Sequence, residues 1–167
     1  GGGSAGDSTF VLEELLKQGA EKWVVTLCDP ESAEACFAAG VGAEVSLQVG
    51  GKTDAAHGET LDVLGAVRTL HDGTYEETER RHGGGRLFNQ GRTAVLDVGG
   101  KGLLVLNSRR SSPNSIHQIT CVGIQPEQQR ILVAKGAVAP RAAYEPVCPR
   151  LIEVAAGGAT AILRGPE

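Results

Sequence analysis

Residues 23–28, Trp-Val-Val-Thr-Leu-Cys, form an unbroken apolar and β-branched run that passes straight into Asp29-Pro30. A run without polar alternation predicts a strand covered on both faces. Asp29 then stands at a helix cap, and Pro30 takes the first helical position, where a missing N–H costs nothing. A buried strand feeding directly into a capped helix commits the chain to layered α/β packing. The flanking segments agree. Thr9 to Gln18 predicts a helix capped by Asp7 or Ser8 and ended by Gly19, with Leu12, Leu15 and Leu16 on one face. Glu13 and Lys17 are spaced for an i,i+4 ion pair. The helix after Pro30 turns Ala33, Cys36 and Phe37 inward and stops at Gly40, and Glu44 to Val49 follows as a second strand.

Gly50-Gly51 interrupts this order. Leu61 to Leu70 predicts an extended segment, Asp72-Gly73 a turn, and Thr74 to Thr78 a further strand. Arg80 to Arg86, with three glycines, reads as a mobile loop. Thr93 to Val98 and Leu103 to Asn107, joined through Gly99-Gly100-Lys101-Gly102, are the clearest hairpin. Pro113 to Cys121 predicts a helix closed by Gly123, Arg130 to Lys135 a strand, and Pro140 to Glu145 a short helix halted at Pro146. Leu151 to Val154 and Thr160 to Leu163 are expected as short final strands. The fold class that results is α/β with an α+β tendency. Helices pack on a mixed sheet with central antiparallel hairpins, in one domain spanning residues 1–167.

Composition narrows the function. A formal charge of −4 supplies no basic field for a phosphate backbone, so nucleic acid is excluded as a partner. No apolar stretch reaches the roughly 18 residues that a membrane helix needs. The four cysteines, Cys28, Cys36, Cys121 and Cys148, lack metal-ligand spacing and lie in or beside apolar segments. They are expected as buried free thiols in a reducing, cytoplasmic compartment. No secretory leader is visible, and the chain contains no Met. It therefore reads as a processed or excised piece.

Several short patterns fail on context. Gly1 to Ser8 approaches a phosphate-binding loop, but Asp7 stands where the lysine belongs and no strand precedes it. Gly2 to Gly6 matches a nucleophile elbow, and His82 to Gly85 an oxyanion loop, in the wrong order and without the required strand. His57, His71, His82 and His117 form no compact ligand spacing, although Asp54 and His57 lie three residues apart. The glycine-rich start is better suited to close approach of backbone amides to a carboxylate at a helix N-terminus. The alternative is that Asp7 merely caps that helix. Lys52, Lys135, Arg141 and the Arg109-Arg110 pair lie at element ends, where α/β proteins place binding residues. Such cations suit a peptide carboxylate or carbonyl. Each could equally be solvated charge.

Three segments taken in order carry a resemblance. They are GGGSAGDST, then LCDPESAEACFAAGVGAEVSLQVGGKTDAAHGETLDVLGAVRTLHDGTY, then LVAKGAVAPRAAYEPV. Together they resemble the C-terminal domain of the microcystinase C (MlrC) family of metallopeptidases, from about Gly1 to Val154. AGVGAEVSLQVGGK, with the HG and V-R-x-L-x-DG that follow, is the most specific part, and Lys135 to Pro146 is a second anchor. The resemblance implies a larger zinc enzyme whose N-terminal α/β domain carries the metal ligands and the catalytic acid. It implies hydrolysis of linearised microcystin and related small peptides. The chain would then start in the loop joining the two domains and stop before the family's C-terminal tail. It would close over the cleft and bind substrate.

On this reading no catalytic residue, no metal ligand and no cofactor is expected in the chain itself. The zinc belongs to the full-length enzyme. Gly2, Gly3, Asp7, Ser8 and Thr9 match the family's glycine-rich loop, and Lys52, His57, Lys135 and Arg141 its recurrent polar positions. Arg109 joins them from its place after the hairpin. Ala139-Pro140 replaces a His-Phe pair found in some members, which places a microcystin substrate in doubt. The expected partners are the N-terminal catalytic domain of the same protein and a small peptide, and self-association into a homo-oligomer stays open. The competing readings are a stand-alone binding or scaffold module and a self-sufficient hydrolase built on His57 and Asp54.

Overall fold

The computed structural model describes residues 5–79, 84–136 and 138–156. Chain order runs α1 (Phe10–Lys17), β1 (Trp23–Cys28), α2 (Pro30–Ala39), β2 (Glu44–Val49), β3 (Leu61–His71) and β4 (Thr74–Glu76). It continues with β5 (Leu87–Asn89), β6 (Thr93–Val98), β7 (Gly102–Asn107), α3 (His117–Thr120), β8 (Ile131–Val133) and α4 (Arg141–Tyr144). Short 3-10 turns at Ala55–His57 and Pro126–Gln128 join them. Six strands form one mixed sheet in the order β2-β3-β6-β7-β1-β8. The β2-β3, β3-β6 and β6-β7 pairs are antiparallel, whereas β1 runs parallel to both β7 and β8. Strands β4 and β5 make a separate antiparallel pair. The mixed α/β architecture with a central hairpin is as the sequence predicts.

The pleat explains why the middle strands read as continuous apolar runs. Trp23, Val25 and Leu27 point to one face of the sheet, with Leu104 and Leu106 of β7 and with Leu12, Ala33 and Cys36 of the two helices. Val24, Val95, Leu103 and Val105 point to the other face, against Ile119, Val122 and Ile124. A strand with both faces covered has no polar side to show. Strand β2 lies at the sheet edge, and there exposure alternates residue by residue.

Several expectations change. Asp7 and Ser8 do not cap α1: Thr9 is the cap residue and makes no side-chain cap bond. The carboxylate of Asp7 is committed to the backbone of residues 52 and 53 instead. The predicted helix 113–121 shrinks to His117–Thr120, and the strand 130–135 to Ile131–Val133. Leu151 to Val154 is not a strand; it carries no regular structure and is largely exposed. The predicted strand 160–163 lies outside the described residues. Of the predicted loop 80–86, residues 84–86 have no regular structure and residues 80–83 lie outside the described residues. Strand β5 was not foreseen, because three residues carry too little periodicity. All four cysteines are free, with Cys36 buried and the others partly so. Among the described residues no helix is long and apolar enough to cross a membrane.

Candidate functional site

Residues Gly6 to Thr9 run along the sheet as a stitched strap. Gly6 O accepts from Cys28 N at the end of β1, and Asp7 O accepts from Gly51 N. Thr9 N donates to His57 O, and Thr9 Oγ1 donates to Glu59 O at 2.8 Å. Gly50 makes the approach possible. Its φ is +64°, and a Cβ there would lie 2.6 Å from the Thr9 methyl and 2.7 Å from Asp7 O. The break read in the sequence at Gly50-Gly51 is thus where two segments cross at backbone contact.

Asp7 is buried, and its Oδ2 accepts from Lys52 N at 3.1 Å and Thr53 N at 2.9 Å. Among the described residues its Oδ1 has no hydrogen-bond donor, and it stands 3.9 Å from His57 Nδ1. His57 is only 3% exposed. Its Nδ1 lies 2.9 Å from Asp54 Oδ1, off the line of a hydrogen bond, and among the described residues Nε2 has no hydrogen-bond partner. Lys135 reaches the same strap from after β8 and donates its Nζ to Ser8 O. Burial pushes its ammonium down to about 8, with the Asp7 charge opposing that shift. Asp7, Ser8, Thr9, His57 and Lys135, from three distant segments, therefore converge.

The remaining cations have other partners. The Lys52 ammonium bridges Asp29, Ser32 Oγ and Glu31. Asp29 caps α2 through Ser32 N, at 3.1 Å, and accepts from Gly50 N at 2.9 Å. Burial disfavours the Asp29 charge, but the bonds from Gly50, Ser32 and Lys52 together hold its carboxyl below the usual range. Arg141 is engaged by Glu145 and Glu153. Arg109 is exposed, with its backbone N–H on Gln90 O. Its neighbour Arg110 instead lines a groove with Lys135, Cys28 and Asn107. Adjacency in sequence offers no means of choosing between two consecutive arginines. Gly2 and Gly3 lie outside the described residues. Among the described residues no three His, Cys, Asp or Glu side chains are grouped to hold a metal ion.

A mixed sheet with helices packed on it, and polar groups gathered beyond its parallel strand ends, defines an α/β domain. The MlrC C-terminus family profile matches residues 1–163, and the chain belongs to that family. It is 26% identical over 138 residues to Microcystinase C from Sphingomonas sp. That match covers 82% of this chain and 26% of the relative. The fold is shared with a protein from Mesorhizobium sp. BNC1 provisionally named a metallopeptidase. There the TM-score is 0.85 at 23% identity, over 94% of this chain and 31% of the other. The chain thus spans under a third of either relative's length.

Proposed function

We propose that this chain is the substrate-side domain of a metal-dependent peptidase acting on small peptides. The metal, zinc in the family reading, belongs to an N-terminal catalytic domain of the same protein. The observation that carries the proposal is the convergence of Asp7, Ser8, Thr9, His57 and Lys135 on one glycine-bounded strap. Such a strap holds backbone groups and a cation in fixed positions, which is what positioning a peptide amide requires. Membership of the MlrC C-terminus family and likeness to a named Microcystinase C support the peptidase assignment. In this reading the chain's residues bind and orient a peptide and exclude water as the domain closes on the cleft.

The test is a pair of measurements on the purified chain. Metal content is read by elemental mass spectrometry after dialysis against a weak chelator, and hydrolysis of short linear peptides is followed by liquid chromatography. Substoichiometric metal and no turnover are the expected results. One metal per chain, with turnover abolished by a strong chelator, would overturn the proposal and make this chain the enzyme.

A further inference from the structure

Strand β2 is an end strand of the six-stranded sheet, and among the described residues no strand pairs with its outer side. Val67 N donates to Ala43 O, so the backbone groups of Ala43, Val45 and Leu47 face β3. Those of Glu44, Ser46 and Gln48 face away from the sheet. The Gln48 carbonyl follows this alternation, because it accepts from Ser32 Oγ of α2 at 3.2 Å. Ser32 therefore marks the flank of α2 beside this edge, and Ala35 and Ala39 continue that flank at i+3 and i+7. Both alanines are exposed, and Val41, just ahead of β2, is 65% exposed. Natural edge strands are blunted by lysine, proline, a bulge or extreme shortness. The six residues of β2, Glu-Val-Ser-Leu-Gln-Val, keep unbroken register with β3 and carry none of these devices.

We propose that β2 pairs antiparallel with β2 of a second copy of this chain, joining two sheets into one across a two-fold axis. The proposal is independent of the substrate-side reading above. Charge and the Ser32 bond select the register. Centring the pair on Glu44 sets that carboxylate against its own copy, and like charges directly opposite are unfavourable. Centring it on Ser46 or Leu47 draws on Gln48 O, which Ser32 already holds. Centring it on Val45 avoids both. Glu44 and Ser46 then exchange backbone bonds with Ser46 and Glu44 of the second copy, and Val45 meets Val45. Val45 and Leu47, half-buried at the rim of the core, lose their remaining exposure. The interface is isologous, so the alanine flank of α2 approaches its own copy with only methyl groups between the helices. A free extended peptide would satisfy the ladder alone and leave that flank and Val41 uncovered, which favours the second copy as occupant.

Sedimentation equilibrium of the chain over about 1 μM to 1 mM should show a reversible monomer–dimer equilibrium. Ser46→Pro removes an outward N–H that β3 does not use, at an edge position where proline is accepted. Ala35→Glu places a charge on the exposed flank of α2. Each variant should keep the parent's Trp23 fluorescence and weaken the dimer by at least about tenfold. Crosslinking reads the register. Across the two-fold axis the two Val45 Cα atoms would lie about 4.5 Å apart, within disulfide reach, and the two Leu47 Cα atoms about 13 Å apart. Mild oxidation should therefore link Val45→Cys into a covalent dimer and leave Leu47→Cys unlinked. A parent chain that is monomeric at every concentration, a dimer that either folded variant leaves unchanged, or linking of Leu47→Cys in place of Val45→Cys would each overturn the proposal.

Discussion

Gly102 opens β7, and a methyl group there has nowhere to go. An added Cβ would sit 2.0 Å from Cε2, 2.1 Å from Cδ2 and 2.5 Å from Cζ2 of Trp23, inside the indole's own volume. Trp23 is paired with Gly102 across the parallel ladder, is 1% exposed, and donates its indole N–H to Ala20 O. Gly102→Ala must therefore displace a ring packed in the same core cluster as Leu12, Val25 and Leu104. Overpacking alone costs about 1–3 kcal/mol. Full loss of a buried aromatic costs about 3–5 kcal/mol. The displaced ring retains part of its burial, so the expected loss is about 2–4 kcal/mol. At this chain length each kcal/mol lowers Tm by about 2–4 °C. Trp23 is the only tryptophan in the chain, so its fluorescence reports the event directly. Urea unfolding should show the lowered midpoint, and the folded variant should emit to the red of the parent. Adding Trp23→Phe should restore part of the loss, with a coupling above about 1 kcal/mol. A variant within about 0.5 kcal/mol of the parent, with unchanged emission, would refute the argument.

Further outcomes follow from the buried polar groups. Asp29→Ala removes the α2 cap and strands Gly50 N and the Lys52 ammonium, and should cost about 2–4 kcal/mol by urea unfolding. Because the folded Asp29 carboxyl is held below its ordinary range, its stabilisation is complete above about pH 4 and is lost as pH falls through the folded value. Asp29→Asn should therefore flatten the acid limb of stability against pH. Lys135 shifts the other way for a cation: folded near 8 and about 10.4 unfolded, it makes the unfolded chain bind more protons between those values. The parent should gain stability relative to Lys135→Met from about pH 8 to pH 10. Burial pushes the Cys36 and Cys121 thiols up to about 11. A thiol reagent at pH 8 should spare both in the folded chain and modify all four cysteines once it is unfolded.

Legibility in the sequence followed the range of the interactions. The strand-helix unit from Trp23 to Gly40 was readable because capping and apolar runs are local, and the structure keeps both boundaries. The hairpin of β6 and β7 was readable for the same reason, since a glycine turn joins adjacent strands. The role of Asp7 is not legible locally because its partners lie 45 and 46 residues away, and a carboxylate ahead of a helix looks like a cap. Gly102 read as turn glycine, whereas its lack of a side chain is used by Trp23 across a parallel ladder. Such a pairing has no signature within either segment.

The same distinction decides which polar residues can act together. Lys52 and Lys135 both look like strand-end lysines in the sequence, yet their surroundings differ. Lys52 bridges three groups at the start of α2 with its ammonium and donates its backbone N–H to Asp7 of the strap. Lys135 follows β8, the strand beside β1, and meets the strap at Ser8. The strap therefore carries Asp7 beside His57 and Ser8 against Lys135 on four consecutive residues. Replacing Gly50, whose Cβ would strike Thr9 and Asp7 O, should therefore displace the strap as a whole. Gly50→Ala should thus cost about 1–3 kcal/mol by urea unfolding and shift the amide signals of Asp7, Thr9 and His57. An unchanged urea midpoint with unchanged shifts at those residues would show that the strap does not depend on the close approach at Gly50.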